Sequence, residues 1–378
     1  MNFASSRLCG EAVDLSASAA DRPPVSIITG YLGSGKTTLL NRLLRDPGMA
    51  RAAVIINEFG EIGLDHLLVA TPNENTVLLA NGCICCTVRG DLVDTLRSLS
   101  RKRLEGALPP FDRVLVETTG LADPVPVLQT LITDDSVAPL YRPDSVVTLV
   151  DAVHGARTLD EHAEGVKQAA LADRLLLSKC DLAGEHAVAA LERRLARLNP
   201  GARRFRVTRG EIHPRELFGA ALDATADSSG VARWLNHHAY AKTRAGRYRQ
   251  AARHDRGIRS FGLYLERPVT RAGLMTWMRL LTSLRGASLL RMKGLLNLEG
   301  RPVAVHAVQT LIDEPVELPR WPDAERRSRL VFITRGLARD EIERTLAMLE
   351  IGSEKNATRG TLDPQAYARF VVAAQTFR

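Results

Sequence analysis

Residues 30–37 read Gly-Tyr-Leu-Gly-Ser-Gly-Lys-Thr, a G-x-x-x-x-G-K-T run set between a β-branched stretch, Val25–Thr29, and a leucine-striped one. Such a loop works in one local setting. Consecutive backbone N–H groups must face a small volume without Cβ atoms in the way, and the following helix must point its positive end into that volume. The run therefore dictates strand, glycine loop and helix in that order. Gly30, Gly33 and Gly35 allow the close approach, and Ser34 and Thr38 line the same turn. Lys36 reaches outer phosphates, and the Thr37 hydroxyl suits Mg²⁺. Downstream, Leu39, Leu40, Leu43 and Leu44 make one apolar stripe, with Asn41, Arg42 and Arg45 turned away. The ligand specified is a nucleoside triphosphate.

The rest of the chain fits around that unit. Apolar runs at Val25–Thr29, Ala53–Ile56, Thr76–Leu79, Arg113–Glu117, Ser145–Val150, Arg174–Leu177 and Phe205–Thr208 alternate with helix-period segments. The fold class expected is α/β: a mostly parallel P-loop-type sheet with helices on both faces, followed by a smaller α+β domain. Its extent is read as residues 25–220 for the first domain and 260–350 for the second. A leader of small residues (1–24), a basic linker (221–259) and a tail (351–378) complete the division. The 378 residues suit two domains, and 45% hydrophobic with 25% charged residues excludes collagen, coiled coil and wholesale disorder. No apolar run approaches the roughly 18 residues of a membrane span. Glu11 and Asp14 interrupt the only candidate signal segment, so a cytoplasmic protein without membrane contact is expected. The net charge of +8 is local: Arg233–Arg259 holds eight basic residues and one acid.

Two further elements refine the nucleotide chemistry. Glu117-Thr118-Thr119-Gly120 follows a buried-looking strand. An acid there holds the Mg²⁺ shell or positions water, and a glycine there lets an N–H meet the γ-phosphate. Lys36, Glu117 and Gly120 are therefore the candidate catalytic groups. After the strand Arg174–Leu177 comes Ser178-Lys179-Cys180-Asp181, close to the guanine-reading N-K-x-D. The Asp181 carboxylate would accept from the guanine N1–H and exocyclic amine, and the Lys179 stem would cover the ring. Ser178 replaces the usual Asn and removes an amide contact. GTP is favoured over ATP.

Three of the five cysteines crowd together at Cys83, Cys85 and Cys86. Crowded thiols in a chain without an export signal point to metal or redox chemistry, and thiolates suit Zn²⁺ or Cu(I). Three ligands leave a tetrahedral site incomplete, as a protein that releases its metal requires. Glu58, Glu61 and Asp65 follow the second strand, where P-loop GTPases carry nucleotide-sensitive segments, and are candidates to complete the site.

The ordered motifs GYLGSGKTTLLNRLL, NEFGEIGLD, NGCICCTVRGDL, ETTGLADPVPV and SKCDLA resemble the CobW family of GTPases, relatives of the urease and hydrogenase nickel-loading GTPases. The likeness continues through HDRGIRSF, LLRMKGLLN and RWPDAERRSRLVFI, from about Val25 to Glu350. It implies a GTP-hydrolysing metallochaperone that carries zinc, or secondarily cobalt, at the C-x-C-C loop to a client metalloprotein. Many members carry a His-rich run before the second domain; here that region holds His237, His238 and His254 among arginines. Two other classes stay open. One is a GTP-regulated interaction switch with a structural zinc. The other, argued only by the arginine-rich window, is a GTP-regulated RNA-binding protein. A homo-oligomer is compatible with all three.

Overall fold

A computed structural model describes residues 22–57, 77–81, 88–222, 227–241, 257–350 and 364–377. Seven parallel strands form the first sheet: β1 (Pro24–Gly30), β2 (Ala52–Asn57), β3 (Val77–Asn81), β4 (Arg113–Thr118), β5 (Arg142–Asp151), β6 (Arg174–Ser178) and β7 (Arg203–Val207). Their order is β3-β2-β4-β1-β5-β6-β7, so β1 lies in the centre. The strands are apolar on consecutive residues because both faces are covered: Ile27 packs into one core and Ile28 into another. Two polar residues in the sheet satisfy each other, with Thr118 Oγ1 donating to Thr29 Oγ1 at 2.8 Å.

Helices α1 (Lys36–Leu43), α2 (Val88–Leu104), α3 (Val125–Thr133), α4 (Gly155–Glu161), α5 (Ala163–Leu171) and α6 (Glu185–Leu198) connect these strands. The leucine stripe of α1 is its buried face: Leu39, Leu40, Leu43 and the following Leu44 pack on Ile28, Val54 and Leu149. Burying each such leucine contributes roughly 1.5–3 kcal/mol. That holds the helix and the loop before it in place.

The second sheet contains β8 (Ile258–Leu265), β9 (Leu289–Leu298), β10 (Arg301–Val308), β11 (Leu311–Ile312), β12 (Val316–Glu317) and β13 (Ser328–Arg335). Its order is β11-β10-β9-β13-β8, with β12 also paired to β10. Alternation along β13 shows how it is used. Leu330 and Phe332 pack under the helix Arg271–Arg285, against Trp277 and Leu281. Val331 and Ile333 face the other way and join the core of the first domain. One face of the second sheet thus completes a hydrophobic core shared with the first domain.

Short helices lead into the arginine-rich stretch. Ser228–Leu235 and His237–Ala241 are short helices, and Val231, Leu235 and Tyr240 are buried in the shared core. Beyond residue 350, Pro364–Phe377 forms a helix that packs against Arg271–Arg285. Among the described residues no helix is long and apolar enough to cross a membrane.

Candidate nucleotide site

The glycine loop leaves the carboxyl end of central strand β1. Gly30, Gly33 and Gly35 all have positive φ, at 144°, 69° and 95°. At Gly30 the requirement is also steric, since a Cβ would lie 2.5 Å from the Leu149 carbonyl oxygen. Gly35 ends the loop as the N-cap of α1, where no side chain caps the helix. The first N–H groups of α1 therefore face the loop, as an anion site needs. Lys36 is buried and curls back over the loop, donating to the Gly30 carbonyl at 2.9 Å. Thr37 is half-buried and Thr38 is exposed on the next position of the helix.

Glu117 stands beside the loop because β4 pairs with β1, with Ile28 opposite Glu117. The Thr37 hydroxyl lies 3.4 Å from Glu117 Oε1. A hydroxyl and a buried carboxylate converging at the loop's end form a hard-oxygen pair that fits Mg²⁺. Three residues on from Glu117, Gly120 presses against the loop tip. A Cβ there would come 2.6 Å from the Leu32 backbone nitrogen, so only glycine admits this approach.

The base loop is joined to the phosphate loop. Ser178, buried at the end of β6, donates its hydroxyl to the Ser34 carbonyl at 2.6 Å. Lys179 takes the left-handed conformation, φ 58°, which is uncommon for a residue with a Cβ. Its ammonium meets Asp151 Oδ2 at 2.7 Å, and Asp151 Oδ1 accepts from the Val153 N–H at 2.7 Å. Asp181 is exposed in a short 3₁₀ turn.

The fold therefore brings Lys36, Thr37, Glu117, Gly120, Ser178 and Lys179 to one edge of the sheet. Cys83, Cys85, Cys86, Glu58, Glu61 and Asp65 lie outside the described residues. Three features escaped the sequence reading. Asp151, an acid ending an apolar strand, gives the same signal as Glu117 and could have been found that way. The Thr208–Gly210 turn lies beside the base loop because Val207 pairs with Ser178. Arg209 and Gly210 there both have positive φ. Gln168, which holds the Gly120 loop from α5, carries no local signal.

Comparison with known proteins then decides the family. The model for "CobW/HypB/UreG, nucleotide-binding domain" matches residues 24–206, and that for "Cobalamin synthesis protein cobW C-terminal domain" matches residues 258–350. The chain belongs to the CobW family of P-loop GTPases. It is 35% identical over 330 residues to "Zinc chaperone YjiA" of Escherichia coli, covering 86% of this chain and 98% of that one. It is 28% identical over 342 residues to "Zinc chaperone CobW" of a Sinorhizobium species, covering 82% and 92%. The crystal structure of Zn(II)-bound YjiA GTPase from E. coli superposes with a TM-score of 0.67 at 30% identity, covering 87% of this chain and 99% of that one.

Proposed function

We propose that this GTPase is a zinc metallochaperone whose metal affinity is set by its nucleotide. Zn²⁺ is the cargo, bound by Cys83, Cys85 and Cys86 and passed to a client metalloprotein, with Co²⁺ as the alternative cargo. The observation that carries the reading is a register. Asn57 pairs with both Asn81 and Thr118, so β2, β3 and β4 end at one level of the sheet. Asn57 and Asn81, which precede Glu58 and the C-x-C-C run in sequence, thus end their strands at the edge where Glu117 meets Thr37. A change in the nucleotide's outer phosphate is thereby felt where the thiol loop begins.

In this reading Lys36 and the loop N–H groups bind the phosphates, and Gly120 meets the γ-phosphate. Thr37 and Glu117 would hold Mg²⁺, which supplies neutralisation of phosphate charge when bound. Lys179 and Asp181 take guanine. Thiols lose their protons to bind metal, so zinc affinity depends on how closely three thiolates are brought together. The names of the relatives support the cargo, and the exposed Leu32, Leu121, Val153 and Leu182 support a client at this face.

The test is release. Protein loaded with Zn²⁺ and GTPγS is mixed with a fluorescent zinc chelator, then compared with protein given GTP. Faster transfer with GTP than with GTPγS, absent in Cys83→Ser/Cys85→Ser/Cys86→Ser, supports the reading. Equal rates favour the switch with a structural zinc.

A further inference from the structure

The Gly120 loop is clamped from behind by α5. Gln168, buried in the middle of that helix, donates its amide N–H groups to two carbonyls of the loop, Gly120 at 3.2 Å and Ala122 at 3.0 Å. Its neighbour Lys167 is ion-paired with Asp123, and Asp123 Oδ1 accepts from the Val125 N–H at 3.1 Å, at the start of α3. Thus two consecutive α5 residues grip Gly120, Ala122 and Asp123. The helix is itself fixed to the central sheet, since Thr148 Oγ1 on β5 donates to the Gln168 carbonyl at 3.0 Å.

Chemistry fixes the orientation of the amide. Two carbonyls can only accept, so the nitrogen must face them and Gln168 Oε1 must point away. That oxygen is buried and takes no hydrogen bond from the protein among the described residues. The residue also borders a cavity of about 110 Å³ lined by Leu32, Ser34, Leu149 and Leu159. A buried amide that leaves its acceptor idle carries a cost that an apolar side chain of the same size avoids. Its donors are what the site uses.

We propose that Gln168 is a positioning residue for GTP hydrolysis. By fixing both carbonyls it holds Gly120 against Leu32, where the close approach leaves no room for drift. The inference rests on the reading of Gly120 as the γ-phosphate contact. A loose Gly120 loop would leave GDP binding intact, because GDP lacks the γ-phosphate. It would weaken only what depends on that phosphate.

The experiment compares full-length Gln168→Met and Gln168→Glu with wild type and with Gly120→Ala. It measures kcat, KM, and Kd for GDP and GTPγS, alongside thermal midpoints. Gln168→Met keeps the volume without donors; Gln168→Glu keeps polarity but faces the carbonyls with acceptors. Expected for both are a kcat fall of about tenfold or more, a lowered GTPγS-to-GDP affinity ratio, and a GDP Kd within about twofold of wild type. Lys167→Met removes the outer grip from a partly exposed position and is expected to lower kcat about threefold without touching the core. Wild-type kcat and affinity ratio in the Gln168 variants, with Gly120→Ala defective, would remove Gln168 from the mechanism and leave Gly120 in it. Gly120→Ala behaving as wild type would remove the underlying reading of Gly120. Parallel losses of GDP binding and thermal stability, with Lys167→Met unaffected, would make the clamp merely structural.

Discussion

One hydroxyl, that of Ser178, ties the base loop to the phosphate loop through the Ser34 carbonyl. A neutral hydrogen bond of this kind contributes about 0.5–1.5 kcal/mol. Ser178→Ala is therefore expected to raise the Kd for GDP by about three- to tenfold, read by titration with a fluorescent GDP analogue. No change would make the bond incidental. Lys36→Ala should lower kcat/KM for GTP about a hundredfold or more, checked by phosphate release. His237 gives a pH signature away from the site. Burial first, then the nearby Arg329, lowers its pKa from 6.5 to about 4. The folded protein keeps the ring neutral where the unfolded chain protonates it, so its contribution is present above 6.5 and lost as pH falls toward about 4. Urea unfolding should show stability dropping across that window, and His237→Leu should flatten the slope. At this scale, legibility followed distance along the chain. The placement of Lys36 and Thr37 where a glycine loop enters a helix was readable because the motif is packed into eight residues. Gln168 was not, since its two acceptors lie 48 and 46 positions away.

The link between helix α5 and strand β6 joins the two domains. Leu171, at the end of α5, accepts from Arg291 Nη1 at 2.6 Å, and Asp173 meets Arg291 Nη2 at 2.5 Å and Lys293 Nζ at 3.1 Å. Burial alone would raise the pKa of Asp173. Arg291 and then Lys293 outweigh it and hold the carboxylate below its usual range. Burial, followed by the charge of Arg291, pushes Lys293 down to about 8. Breaking a buried pair from one side is costlier than the pair's net worth, so Arg291→Met should destabilise the protein by about 3 kcal/mol. A urea midpoint shift corresponding to under about 1 kcal/mol would contradict that. Elements were legible wherever one face or both were plainly apolar: all seven parallel strands lie where the sequence put them. The stretch before the second domain was harder. Its arginines dominate the composition and mask Val231 and Leu235, which sit four apart on a helix and bury themselves in the shared core.

Across the whole molecule, the second sheet closes the hydrophobic core of the first domain. Leu290, Leu295, Val331 and Ile333 share that core with Leu171, Leu195 and Leu198. An interface of this character makes separate melting unfavourable. Calorimetry should show one transition with matching van't Hoff and calorimetric enthalpies, where two resolved transitions would contradict a shared core. The sequence did reveal two domains, because each carries its own periodic pattern. It did not reveal their union, because apolar residues on both faces of a strand do not say what covers each face. The proposed function is placed at the first domain's carboxyl edge, where phosphate loop, acid and base loop meet. Nucleotide state is proposed to set metal affinity there, since a ligand equally compatible with two states shifts neither. The direct measurement is an equilibrium Zn²⁺ titration of the reduced protein with Mg²⁺ and either GTPγS or GDP, repeated with Cys83, Cys85 and Cys86 changed to Ser. Zn²⁺ should bind at least about tenfold more tightly with GTPγS, and the serine variant should lose that binding. Equal affinities in the two nucleotide states would contradict it.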